Sequence, residues 1–306
     1  MPAEFNNRPV QAISAVASGA GHNRPPDTMR TRLRPAQWPT RRLAPLTILL
    51  LAASPFAHAG DAAADAPMTA EAPAPDSPLS ATVSVSSQYI SRGVRQTWGK
   101  PAAMAAIDYA HPSGWSAGTS VINVSDRFIE KGAVEWDLYG GYNGTAGPVG
   151  WSALVYWYKY PGARITATDT AFDYGELSAG ISWRSLYARY NYTFTHDFFG
   201  IQDARGTGYL DVGADHPLSD KLTLNLHAGD GRVAGSGNDV WDWRDLKAGL
   251  TRRLEDGWTV ALNYTRTIGA TGVYDRYTTG VPRADGRLAV SNVARRAVVL
   301  SLTRKF

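Results

Sequence analysis

The sequence predicts an all-β chain: an antiparallel transmembrane β-barrel of about twelve strands, preceded by a signal peptide and a disordered linker. Three observations point to it. Segments of about ten residues alternate apolar and polar side chains from Leu79 to Phe306, the length and rhythm of a tilted strand crossing a bilayer. Long connections alternate with short ones between those segments. The chain ends on the most regular of them, "VVLSLTRKF", with an aromatic last residue.

The amino terminus reads as an address. Arg41 and Arg42 precede "LAPLTILLLAASPFA", which runs into Ala57–His58–Ala59 and Gly60. A basic region, a short apolar core and small residues at −3 and −1 make a secretory signal peptide cleaved after Ala59. The alternative, a helical anchor, needs about 20 apolar residues, and Pro45 and Pro55 bracket a shorter run. Met29, followed by "RTRLRP", reads as a better start, which would make residues 1–28 a gene-start artefact. Residues 60–78 are rich in Ala, Pro and acid without periodicity and read as a disordered linker. The barrel occupies 79–306.

Within it, "LSATVSVSSQYIS" (79–91) sets Leu79, Ala81, Val83, Val85 and Tyr89 against Thr82, Ser84, Ser86 and Gln88. "AVEWDLYGGY" (133–142) sets Val134, Trp136, Leu138 and Tyr142 against Glu135, Asp137 and Tyr139. "SLYARYNYTFT" (185–195), "KLTLNLHAG" (221–229) and "WTVALNYTRT" (258–267) repeat the scheme, and the last strand sets Val298, Leu300, Leu302 and Phe306 against Val299, Ser301, Thr303 and Lys305. Segments 101–111, 114–124, 150–160, 173–183, 207–215 and 242–253 complete twelve strands; ten or fourteen are the neighbouring counts. An even number returns both ends to one side. The connections at 92–100, 125–132, 161–172, 196–206, 230–241 and 268–293 are mostly long, and those at 111–114, 143–149, 183–185, 216–220 and 254–257 mostly short. A soluble sandwich has no reason to alternate in this way.

Composition narrows the function classes. Fifteen Tyr and ten Trp stand against eight Phe, favouring amphipathic rings suited to membrane–water interfaces. There is no Cys, hence no disulfide framework and no thiolate-held metal. The net charge of +4 is misleading. Residues 1–59 hold seven Arg and two acids, so the remainder is −1. The basicity belongs to the address, and nucleic acid is excluded as a partner of the rest.

The stretch from "SSQYISRGVRQTWGKPAAMAAIDYAHPSGWSAGT" (86–119) through "EWDLYGGYNG" (135–144) to "YKYPG" (158–162) resembles the TorF family of porins, proteobacterial outer-membrane proteins. Arg92–Gly93, Gln96, Pro101–Ala102, Asp108–Tyr109–Ala110–His111, Ser113–Gly114 and the "DLYGGY" run at 137–142 carry the likeness, which covers roughly 79–162. It implies an outer-membrane barrel and leaves the solute unspecified.

Parity identifies lumen candidates. Arg92 shares the polar face of the first strand, and Asp108, Glu135 and Asp137 take inward positions on the second and fourth. An ion-pair network joining Arg92 to one or more of these carboxylates is expected at one end of the lumen, tuning the pore field or acting as a structural plug. Glu176, Arg189, Asp211, Asp215, Lys221, Asp245, Lys247 and Lys305 are further inward candidates. Their mixed signs predict weak selectivity. No connection reads as an inward-folded constriction.

The expected function is a porin-like channel for passive diffusion of small hydrophilic solutes in the bacterial outer membrane. Outer-membrane lipid and the barrel assembly machinery are the expected partners, the latter through Phe306, and no cofactor or metal is expected. The chain does not read as an enzyme. His196–Asp197 is the nearest thing to a dyad, yet neighbours in a strand face opposite ways, and no nucleophile elbow of the Gly-x-Ser-x-Gly kind stands out. A non-channel barrel with a structural or surface-interaction role is the alternative, ahead of an outer-membrane hydrolase; Phe198, Phe199, Tyr274 and Tyr277 would then offer exposed loop aromatics. The sequence leaves the oligomeric state open.

Overall fold

A computed structural model describes residues 77–269 and 271–306; the signal segment 1–59 and linker residues 60–76 lie outside the described residues. Twelve antiparallel strands form one closed barrel. They are β1 Leu79–Ser86, β2 Ala102–Ala110, β3 Trp115–Asn123, β4 Val134–Ala146, β5 Val149–Lys159, β6 Tyr174–Trp183, β7 Leu186–Thr193, β8 Gly208–Ser219, β9 Leu222–Arg232, β10 Trp243–Arg253, β11 Trp258–Gly269 and β12 Ala297–Lys305. Each pairs with its neighbours in sequence, and β1 closes the ring on β12 through Thr82↔Lys305, Ser84↔Thr303 and Ser86↔Ser301. Closure leaves no sheet edge, so every strand's backbone groups are paired without water.

Period two decides which way each side chain points. Along β12, Val298, Leu300 and Leu302 are exposed while Ser301 and Thr303 are half-buried. Along β6, Leu177 and Ile181 face out and Glu176 and Ser178 face in. The outer wall is therefore apolar and the inner wall polar, the reverse of a water-soluble barrel. Trp136, Trp157, Tyr190 and Tyr192 are exposed toward the long-connection ends of β4, β5 and β7. Inside, small residues make room for large ones. A Cβ at Gly118 on β3 would collide with the Tyr139 ring from β4.

Several boundaries differ from expectation. The first strand leaves the wall at Ser86 rather than Ser91, and Tyr89, expected beside Leu79 on the apolar face, is buried inside. Once the chain turns off the ladder, strand parity no longer applies. β4 runs on to Ala146 and β5 starts at Val149, leaving a two-residue turn instead of a loop over 143–149. β8 continues through Pro217, where the register shifts between Pro217 and Ser219; the irregularity accommodates a residue that has no N–H to donate. Pro78, expected in the linker, already joins the barrel, its carbonyl accepting from the Ala110 N–H at 2.8 Å.

Candidate functional site

The lumen is where the polar chemistry converges. Its central feature is the connection between β1 and β2, which folds inward. Ile90–Ser91 pairs with Val94–Arg95 as a short ribbon, turned by Arg92 and Gly93 at φ +46° and +79°. Two successive positive φ values make the tight hairpin turn in which Gly is strongly preferred at the second position. The tip crosses to the far side of the barrel. The Trp243 indole N–H on β10 donates to the Arg92 carbonyl at 2.9 Å, and the Thr267 hydroxyl on β11 donates to the Gly93 carbonyl at 2.7 Å. The Arg92 guanidinium grips Glu176 of β6 as a fork, Nη1 to Oε1 at 2.9 Å and Nη2 to Oε2 at 2.6 Å. It also stacks over the Tyr209 ring of β8, 4.7 Å from the centroid. The expectation that no connection constricts the lumen is therefore corrected. Local residue pattern gives no view of the lumen's far wall, and that wall supplies the hairpin's partners.

Arg92 thus meets Glu176, a member of the wider set of inward candidates. Asp108 accepts from the Tyr139 hydroxyl at 2.5 Å. Glu135 accepts from Tyr89 at 2.9 Å, and Asp137 from Ser120 at 2.8 Å. Arg189 lies opposite Asp211 in the β7–β8 ladder, and Lys247 opposite His227 in the β9–β10 ladder. Phe306 is exposed beyond the end of β12, and its N–H donates to the Ala81 carbonyl at 2.8 Å.

Parity did not reveal the arrangement around His227 on β9. Its Nδ1 lies 2.8 Å from Asp211 Oδ1 on β8, and its Nε2 lies 2.7 Å from Asp245 Oδ2 on β10. Both ring nitrogens face carboxylates, a geometry satisfied when both carry hydrogen. Tyr209 completes the group by donating to Asp245 Oδ1 at 3.0 Å. All four side chains are buried. Only the register of three neighbouring strands brings them together.

Above this polar layer, toward the long connections, aromatic rings pack together. Tyr174 stacks on Tyr158 with centroids 4.4 Å apart, and Phe198 meets Tyr174 at 4.9 Å. Phe199 packs against Phe172, Tyr160 and Phe128. The loop aromatics expected to be exposed for a partner are instead turned into this layer: Phe198 and Tyr274 are buried, and Phe199 and Tyr277 half-buried. Burying a ring removes more apolar area from water than any other choice here. Burial also raises the Tyr274 and Tyr277 hydroxyls well above the usual phenol range, so they stay neutral and donate to the Trp241 and Phe128 carbonyls.

Toward the long-connection ends of the strands the lumen is filled. Asp137 is 0 % exposed, and Glu176, Glu135 and Ser120 are 1 % exposed. His196 and Asp197, expected to point apart, meet at 2.7 Å because their segment is a turn rather than a strand. Asp203 approaches the other ring nitrogen at 3.0 Å. Among the described residues no cluster of three or more His, Asp or Glu is arranged to hold a metal ion.

The chain belongs to the family described as bacterial protein of unknown function (Gcw_chp), whose model matches residues 69–306. No curated protein matches the sequence significantly. Among solved structures it is similar to the NanC porin, with TM-score 0.47 and 11% identity over 74% of this chain and 100% of that one. It is similar also to the KdgM porin, with TM-score 0.45 and 8% identity over 74% and 99%. The Pseudomonas putida toluene transporter TodX gives 0.43 and 9% over 83% and 93%. The barrel assignment rests on the closed ladder itself, not on these distant likenesses.

Proposed function

We propose that this Gcw_chp family member is a porin-like outer-membrane barrel that passes small hydrophilic solutes by diffusion through a lumen narrowed by the Arg92 hairpin. One observation carries the reading: a closed barrel with an apolar outer wall encloses a charged inner one. A barrel needing only to fill its centre has no use for that many charges, because burying each one is costly. Export by a signal peptide ending at Ala59 and assembly through Phe306 fit the same location, as does the TorF resemblance. The long connections then lie on the outer side.

The inward groups set the field. Asp108, Glu135, Asp137, Glu176, Asp211, Asp215 and Asp245 face Arg92, Arg189, Lys247, His227 and Lys305. The signs are mixed, so ion preference should be weak. Because the lumen is packed toward the long connections, conduction requires the hairpin to swing away from Glu176, so openings should be brief. The same packing favours a second reading, a closed barrel whose hairpin is a permanent plug. Planar-bilayer recording decides: discrete, weakly selective openings support the channel, whereas silence from a folded barrel supports the plug.

A further inference from the structure

The outer wall near the long connections is not uniform. β4, β5 and β7 carry the aromatic residues usual for a membrane–water boundary. β9 to β12 carry arginine instead. Arg232 is the last residue of β9, Arg244 the second of β10, Arg266 lies three before the end of β11, and Arg296 immediately precedes β12. All four are exposed. Arg266 projects between the exposed Tyr264 and Ile268, and Arg296 shares the outward parity of Val298.

Two features make this arc unusual. Asp230 and Asp242 engage Arg232 and Arg244, with Arg244 Nε 3.0 Å from Asp230 and Arg232 Nη1 3.1 Å from Asp242. Among the described residues, no carboxylate pairs with Arg266 or Arg296. Moreover, the ladder pairs Tyr264 with Val298 and Thr265 with Ala297, so its continuation sets Arg266 opposite Arg296. Like charges directly across a strand pair repel, and arginine on a lipid-facing wall is tolerable only near the interface. An anion between the two guanidinium groups turns both costs into gains, since the planar fork suits phosphate.

We propose that Arg232, Arg244, Arg266 and Arg296 form a binding arc for phosphate-bearing lipid headgroups of the outer leaflet. The proposal rests on the membrane-spanning reading above. The test is native mass spectrometry of the delipidated full barrel with bis-phosphorylated lipid A, with the same lipid stripped of phosphate, and with inorganic phosphate as competitor. The wild type should retain the phosphorylated lipid. The Arg266→Gln/Arg296→Gln variant should bind it about tenfold more weakly, and Arg252→Gln, at the short-turn rim of β10, should match wild type. Equal retention by wild type and the double variant overturns the arc. So does equal retention of the dephosphorylated lipid, equal loss in Arg252→Gln, or displacement by inorganic phosphate at the lipid's own concentration. Heat-modified gel mobility verifies closure, and the two single variants serve if the double variant does not fold. Conductance of the same preparations separates the two readings. A silent barrel that binds phosphorylated lipid keeps the arc and loses the channel; a conducting barrel with unaltered lipid binding does the opposite.

Discussion

Arg92 and Glu176 are 84 positions apart in the chain, yet their side chains meet in a two-bond fork inside the barrel, at 2.9 and 2.6 Å. Arg92 comes from a connection and Glu176 from the wall. The pair therefore ties a movable element to a fixed one, and cutting it from either side has distinguishable effects.

Replacing Arg92 by Ala leaves Glu176 buried without this partner, a change that typically costs about 3–5 kcal/mol. The wall strands keep their ladder, so the barrel should still close and migrate as a heat-modifiable band. The hairpin should loosen, held then by the Trp243 and Thr267 bonds to its backbone carbonyls, raising the open fraction in planar bilayers. Arg92→Ala/Glu176→Ala should be more stable to urea than Arg92→Ala alone. Unchanged conductance in the folded single variant would count against the hairpin as the constriction.

Gly93→Ala probes the hairpin without touching charge. At φ +79° an added Cβ is strained, and it would collide with Thr267 Oγ1 and Asp245 Cβ. The variant should open the lumen as Arg92→Ala does, with the Arg92 charge still present. Ala at exposed Gly280, also at positive φ, should leave conductance unchanged. Equal effects at the two positions would make the result a general strain effect.

His227→Leu removes the group that separates Asp211 from Asp245. Two buried carboxylates would then face one another across β9, at a cost of about 3–5 kcal/mol. The urea midpoint in lipid vesicles should fall sharply. Asp211→Asn/Asp245→Asn in the His227→Leu background should recover much of it, because neutral amides need no counter-charge. Absence of recovery would show that packing, not charge, is what His227 supplies.

Phe306→Ala tests the terminal residue. Its ring is exposed and sits 4.6 Å from the Arg304 guanidinium, while its backbone pairs with Ala81. Substitution keeps the backbone pairing, so urea stability of the assembled barrel should change by less than about 0.5 kcal/mol. Insertion into the outer membrane of cells should drop severalfold. Normal insertion would remove Phe306 as an assembly signal.

Much of the wall was legible residue by residue. Alternation along "AVVLSLTRK" or "LTLNLHAG" depends only on the period of a strand, a local property. It is enough to say that Leu300 faces out and Ser301 in, and twelve such segments with alternating connection lengths give the strand count and closure. The short-turn boundaries were less legible. β4 and β8 keep pairing through Asn143–Ala146 and Pro217 because a partner strand is present, which their own composition does not report.

The contents of the lumen were decided only in three dimensions. That Arg92 meets Glu176, that His227 sits between Asp211 and Asp245, and that Phe198 and Tyr274 turn inward all depend on register summed around twelve strands. They depend also on the width of the ring that results. The same holds outside, where the β11–β12 register sets Arg266 and Arg296 each one residue beyond the last pair, Thr265 with Ala297. The sequence by itself determined the two faces of the wall, because side-chain direction alternates within a single strand. Only the closed barrel decided which groups meet across it, because those distances belong to the ring and to no segment of the chain.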